Sequence, residues 1–320
     1  MICFHDQIIA SFPITAQNHR GEIDYRKILE RLGEILRPQL EEDIPRTFPE
    51  YTPHNWSNHI IALFDIAAQL FGSETLLSLD DADRFLLVVG LYCHDWGMAV
   101  GNDEQEKIVA EFTALPKNPQ LPLASAELNR LMHFAKQKGV ERDVHGDFPA
   151  LASSNQPHWQ EYIRQTHAWR SGDRAHDFLA ALDLDSALCE AARDICVGHW
   201  LDYEILRDAK RFRPIRMVAT QRVHVKLIAL VVRLTDLFDI GRDRTPYALR
   251  RFVGPADPTS VREWDKHAAL DHIDCMDIGR SRWQVVIRGT CRQPSLWPAL
   301  TDLRDYLRDQ LEHGVDLLVE

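Results

Sequence analysis

Residues 84–98, RFLLVVGLYCHDWGM, constrain this chain more than any other segment, because a strongly apolar helix there runs directly into a His-Asp pair. Gly97, just beyond the pair, supplies a terminator. An ionisable pair carried to the end of a core helix needs hydrogen bonds, a counter-charge or a metal. Taken alone, the segment also fits a plain structural reading, in which His94 caps the helix and Asp95 forms a local salt bridge.

Four further segments place chemistry-bearing side chains in similar surroundings. His59 begins a helix that Ser57 is expected to cap, and Leu63, Ala67 and Leu70 follow at helical spacing, which puts the imidazole on a buried stripe. A lone histidine on such a face is ordinarily a core residue. His199 ends SALCEAARDICVGHW, where Leu188, Ala192 and Ile195 mark the inward stripe. His167 lies in YIRQTHAWRS, where Arg164, His167 and Arg170 recur at intervals of three and share a helix face. Guanidinium groups beside an inward histidine suit a phosphate pocket, since their geometry matches phosphate oxygens in bidentate fashion. In VHVKLIALVVRLTDLFDIGRDRTP, Asp236 and Asp239 follow an apolar run. A carboxylate there needs a cation, which Arg233, Arg242, Arg244 or a metal would supply.

The apolar periodicity predicts helices near 22–42, 57–71, 81–95, 104–114, 124–138, 157–169, 174–182, 185–200, 220–239 and 296–312. Residues 40–56, with three prolines, are expected to be an irregular connection, and 252–262 (FVGPADPTSVR) a linker. ALDHIDCM and RWQVVIRGT, around Gly279, look like a strand pair. The expectation is a mainly α chain: a helical domain over 1–250 and a small α+β appendage over 251–320.

With 320 residues, 45% hydrophobic and 27% charged, the chain can bury one large core. None of its six cysteines stands at C-x-x-C or zinc-finger spacing, so they are expected to be reduced thiols in a cytoplasmic protein. Neither a membrane span nor a signal peptide is expected. A net charge of −11 opposes wrapping of duplex nucleic acid. The charge is uneven, however: Arg207, Lys210, Arg211, Arg213, Arg216, Arg222 and Lys226 stand with one acid, Asp208. This run is either a local anion-attracting patch or simply a solvated face.

In order along the chain, the segments YTPHNWSNHI, LYCHDWGM, IRQTHAWRS, VGHW and VVRLTDLFDIGRDRTP resemble the HD superfamily of metal-dependent phosphohydrolases. The likeness covers roughly residues 45 to 250 and is closest to the bacterial HD branch associated with Hsp90-like ATPases. It implies a helical bundle in which His59, His94, Asp95 and Asp236 form the basic metal site. In two-metal members, His167 and His199 would complete a second site with Asp95 bridging. It leaves open whether His54 or His59 is the ligand. His59 is favoured because it begins the helix, and His54 then lies on the substrate side. An ATPase partner is a further expectation, while the oligomeric state is open.

Imidazole and carboxylate ligands without thiolates suit one or two divalent ions, with Mn, Fe, Co, Ni, Zn and Mg not distinguished. Two such ions roughly 3.5–4 Å apart activate hydroxide for attack on phosphorus. The substrate expected is a nucleotide-type phosphate ester or anhydride, with Arg164, Arg170 and Arg244 gripping phosphate oxygens. His54, His133 or His145 would protonate the leaving group. The alternatives are a nuclease acting on single-stranded nucleic acid, a non-catalytic nucleotide-sensing module and oxygen chemistry at a di-iron site.

Overall fold

The computed structural model describes residues 3–13, 16–18, 21–115, 122–138, 157–213, 215–218, 221–277 and 283–319. These are mainly helical, with a small C-terminal α+β part. The N-terminal half runs α1 (Phe4–Ala10), a hairpin of β1 (Ala16–Asn18) and β2 (Gly21–Ile23), and α2 (Tyr25–Thr47). A π-helical turn, Trp56–Ile60, leads into α3 (Ile61–Phe71), followed by α4 (Ser73–Leu77) and α5 (Asp81–Cys93). After a 3-10 turn, Trp96–Met98, come α6 (Asn102–Ala114) and α7 (Ala126–Gln137).

The second half holds α8 (Pro157–Ala181), α9 (Ser186–Gly198), α10 (Tyr203–Leu206) and a hairpin of β3 (Arg216–Val218) and β4 (Gln221–Val223). Then follow α11 (Val225–Leu237), α12 (Tyr247–Val253), α13 (Pro258–Ala269), β5 (Leu270–Asp277), β6 (Trp283–Gly289) and α14 (Trp297–Val319). All three hairpins are antiparallel, and β5 and β6 pair with Ile273 opposite Ile287.

Helix α5 is the axis of the bundle. Every residue from Phe85 to Cys93 is buried, so the helix is enclosed on all sides by α2, α8, α9 and α11. Burying each of its large apolar side chains contributes roughly 1.5–3 kcal/mol relative to exposure. Gly90 sets the approach: a β-carbon there would lie 2.7 Å from Ile195 Cγ2 on α9 and 2.8 Å from Val232 Cγ2 on α11. The His-Asp pair is thereby carried to where α3, α8, α9 and α11 converge.

The expected strand pair over 269–290 is present, its turn lying outside the described residues. Several boundaries differ from expectation. Helix α2 continues to Thr47 with Pro38 and Pro45 inside it, because its buried stripe of Leu29, Leu32, Leu36, Leu40 and Ile44 holds the helical path. The break expected after residue 169 is absent. Ser171 accepts a hydrogen bond from Gly97 N at 2.7 Å, and a β-carbon on Gly172 would sit 2.8 Å from the Arg193 carbonyl, so these residues serve close packing inside α8. Residues 252–262 contain helix, with Asp257 capping α13 through bonds from Thr259 N and Ser260 N and Pro258 in its first turn. The helix expected from 220 starts at Val225, since β3 and β4 precede it. Among the described residues no helix is long and apolar enough to cross a membrane, and Cys3, Cys93, Cys189, Cys196 and Cys291 are free.

Candidate metal centre

Six side chains from five places in the chain meet at the C-terminal end of α5. His59 comes from the π-helical turn, whose cap is Asn55 (accepting from Asn58 N at 2.8 Å) rather than Ser57. His94 is the C-terminal cap of α5, and Asp95 follows with φ −101° and ψ 4°. That bridge-region backbone turns its carboxylate back into the bundle. His167 projects from the middle of α8, His199 caps α9, and Asp236 lies in the last turn of α11. All are buried except Asp236, which is partly open to solvent.

The donors form two groups that share Asp95. Its Oδ2 lies 3.4 Å from His59 Nε2 and 3.3 Å from His94 Nε2, while Asp236 Oδ1 lies 3.8 and 3.5 Å from the same two nitrogens. Its other oxygen, Oδ1, lies 3.5 Å from His167 Nε2 and 4.0 Å from His199 Nε2. Each oxygen of one carboxylate thus faces a separate pair of imidazoles.

Every one of the four rings is held from behind through Nδ1. His59 Nδ1 donates to Asp239 Oδ2 at 2.5 Å, His94 Nδ1 faces the Leu91 carbonyl at 3.1 Å, His167 Nδ1 the Arg164 carbonyl at 2.6 Å, and His199 Nδ1 the Cys196 carbonyl at 2.5 Å. With the proton on Nδ1, each Nε2 presents a lone pair inward. The nitrogens of His59 and His94 then face each other at 3.1 Å, and those of His167 and His199 at 3.0 Å. Two lone pairs at that separation repel unless a cation lies with them. The donor set therefore fits divalent ions, with His59, His94, Asp95 and Asp236 around one and Asp95, His167 and His199 around another.

The electrostatics point the same way. Against the effect of burial, His94 and His59 hold the Asp95 carboxyl well below the carboxylate range, and His94 likewise lowers Asp236. His94 is itself pushed up to about 10 in spite of burial, by Asp95 and Asp236. A proton on His94 is thus the charge the two carboxylates recruit when no other cation is at hand. His199 is pushed down to about 3 by burial and by the neighbouring His167 and His94, and burial also lowers His167.

His54 borders this cluster, with Nε2 3.9 Å from Asp95 Oδ2 and Nδ1 2.6 Å from the Thr52 carbonyl. Burial and Arg244 push it down to about 3. His133 is exposed on α7, beside Gln137 and away from the cluster, and His145 lies outside the described residues.

Two of the three arginines expected to grip phosphate are committed elsewhere. Arg170 is buried with Nε on the Gly97 carbonyl at 3.0 Å, Nη2 on Glu104 at 2.6 Å and Nη1 on Glu127, so it braces the turn after Asp95. Arg244 is buried against Asp239 Oδ2 at 2.9 Å and the backbone carbonyls of Asp239 and Pro53. It supplies the counter-charge for Asp239, the residue that holds His59. Arg164 is exposed one turn before His167, with no acid at ion-pairing distance among the described residues. Sequence reasoning named Asp239 as a carboxylate in need of a cation, with Arg244 among the candidates, but not its hold on His59, and it passed over Trp200. Trp200, 48% exposed, packs its indole at 71° to the His167 ring with ring centres 4.9 Å apart.

The helical bundle and this ordered His/Asp cluster define an HD-type domain, a class generally of metal-dependent hydrolases. The HD-CE family model matches residues 48–313, and the chain belongs to that family. The match runs past residue 250 into α14. No curated protein and no solved structure gives a significant match.

Proposed function

We propose that this chain is a two-metal phosphohydrolase acting on a nucleotide-type phosphate ester or anhydride. The single observation that carries the reading is the division of Asp95, whose Oδ2 faces His59 and His94 and whose Oδ1 faces His167 and His199. When bound, a pair of divalent ions supplies Lewis acidity and a nucleophilic hydroxide at neutral pH. The residues do the rest. Asp95, with Asp236 and the four imidazoles, fixes the positions of charge. His54, whose Nδ1–H is committed to the Thr52 carbonyl, presents an Nε2 lone pair that accepts a hydrogen bond from water or from a protonated leaving oxygen. Arg164, exposed one turn before His167 and with no acid at ion-pairing distance among the described residues, is available for phosphate oxygens. The half-exposed indole of Trp200, beside His167, is a candidate stacking partner for a base, which favours a nucleotide over a small aliphatic phosphate.

The test is phosphate release from nucleoside mono-, di- and triphosphates, cyclic nucleotides and short single-stranded oligonucleotides, with Mn²⁺ or Fe²⁺ added, on wild type and Asp95→Asn. Turnover of a mononucleotide that Asp95→Asn abolishes supports the reading. Cleavage confined to oligonucleotides makes the chain a nuclease, and saturable binding without turnover in wild type makes it a sensing module.

A further inference from the structure

Four cations of the basic run, Lys210, Arg211, Arg213 and Arg216, are not used by the metal centre. They lie beside α8 and α9, where they form one wall of a groove of about 580 Å³. Trp169 from α8 and Arg193 from α9 line the other wall, and Lys210, Arg211, Arg213 and Arg216 line the run's side. At about 100° per residue, Trp169 stands about 200° round α8 from His167. Glu190 likewise stands about 180° round from the direction of His199, if the α9 path is extended to that cap residue. The groove therefore opens on the face of the helix pair that turns away from the metal ligands.

Its charge is strongly biased for a chain of net charge −11. Five cations line it against two carboxylates, Glu190 and Asp194. Asp194, nearly buried, takes Arg211 Nε at 2.8 Å on one oxygen and Arg216 Nη2 at 2.7 Å on the other. Arg193 pairs with Asp173 at 2.8 Å. The Arg211 guanidinium also lies over the Trp169 ring, 4.6 Å from its centre. These contacts set three arginines in fixed positions without cancelling the excess, since one carboxylate serves two of them. Lys210 and Arg213 are exposed, with no acid at ion-pairing distance among the described residues. Two free cations beside a fixed guanidinium cluster form a receptor for several phosphates in a row rather than for one. The volume falls within the range of small-molecule sites.

We propose that this groove is a second anion site, distinct from the metal centre, that binds the oligophosphate chain of a small molecule such as a nucleoside triphosphate. Arg211, Arg216 and Arg193 supply its fixed charges, and the exposed Lys210 and Arg213 supply the rest.

The test is calorimetric titration of tripolyphosphate, ATP and AMP into Asp95→Ala protein, with and without Lys210→Glu/Arg213→Glu. Working in the Asp95→Ala background separates this claim from the phosphohydrolase reading, which fails or stands on turnover by wild type. Tripolyphosphate and ATP are expected to bind with similar, salt-sensitive affinity and AMP more weakly. The double substitution is expected to weaken tripolyphosphate by about tenfold or more, because it reverses two charges at the site. Lys107→Glu, an exposed charge reversal on α6, is expected to change it little. Both substituted side chains are exposed, and thermal melting will show that the double variant is folded. Equal affinity in the presence and absence of the double substitution would overturn the proposal, as would the absence of saturable tripolyphosphate binding. A strong preference for a single-stranded oligonucleotide over tripolyphosphate would overturn the small-molecule assignment.

Discussion

Replacing Asp239 with Asn should weaken one metal site and spare the other. Asp239 is 6% exposed and stands between two groups: it accepts the Nδ1 proton of His59 at 2.5 Å and pairs with Arg244 at 2.9 Å. The amide keeps the shape and one acceptor oxygen, so His59 retains its tautomer, but the ring loses the charge that makes Nε2 a strong donor. Substitutions behind a metal-bound histidine cost about 10–100-fold in metal affinity, or about 1.4–2.8 kcal/mol. Arg244 is left buried without its carboxylate, and breaking a buried pair costs about 3–5 kcal/mol of stability. The Asn variant should fall near the lower end, because Arg244 keeps its bonds to the Asp239 and Pro53 carbonyls. His167 and His199 are held by backbone carbonyls of their own helices, so their affinity should be unchanged. Mn²⁺ titration by calorimetry resolves the two sites, and urea unfolding gives the stability. Undiminished affinity at both sites, or an equal loss at both in a folded protein, would refute the reasoning.

Four other outcomes follow from the geometry. Gly97→Ala should unfold the protein or lower its melting temperature sharply, since the added carbon would fall 2.0 Å from the His167 carbonyl oxygen and 2.7 Å from Arg170 Cβ. Glu127 is held down to about 2 against burial by Arg170 and Arg130, so it contributes stability above its ordinary value of 4.5 that is lost as pH falls toward 2. That contribution is roughly 3 kcal/mol; acid unfolding of Glu127→Gln should show the loss already present at neutral pH and a flatter profile between pH 4.5 and 2. Trp200→Ala should raise KM for a nucleotide substrate several-fold while leaving KM for an aliphatic phosphate monoester unchanged, as base stacking on an aromatic ring is worth about 1–3 kcal/mol. Removal of metal with a chelator should lower the melting temperature, and Mn²⁺ should restore it with the logarithm of its concentration above Kd.

The side chains that meet at the end of α5 were legible in part: apolar runs declare themselves by periodicity, whereas His167, midway along α8, was marked only by the arginines spaced around it, and the resemblance joined the set. His94 and Asp95 follow an unbroken apolar run, and His199 and Asp236 close similar ones. What holds the ligands was less visible. Asp239 and Arg244 come from the segment after α11, and nothing local says that Asp239 also holds a histidine 180 residues earlier. Arg170 shares a helix face with His167 by spacing, as expected for a phosphate ligand. Its role is nonetheless decided by Glu104 and Glu127, which reach it from two other helices. In α2 and α8, Pro45, Ser171 and Gly172 carry local signals for a break, and burial of the surrounding stripe overrides them. Between 252 and 262, the Asp-Pro cap of α13 was a readable start signal overshadowed by the Gly and Pro around it.

The central claim is that Asp95 holds two divalent ions in one hydrolytic site. Elemental analysis of wild type and Asp95→Ala, paired with phosphate release from the nucleotide panel, tests it most directly. About two ions per chain in wild type, falling in the variant together with hydrolysis, is the result the account predicts. Metal-free wild type that stays inert after reconstitution with Mn²⁺ and Fe²⁺, or an Asp95→Ala variant with full metal and full turnover, would contradict it.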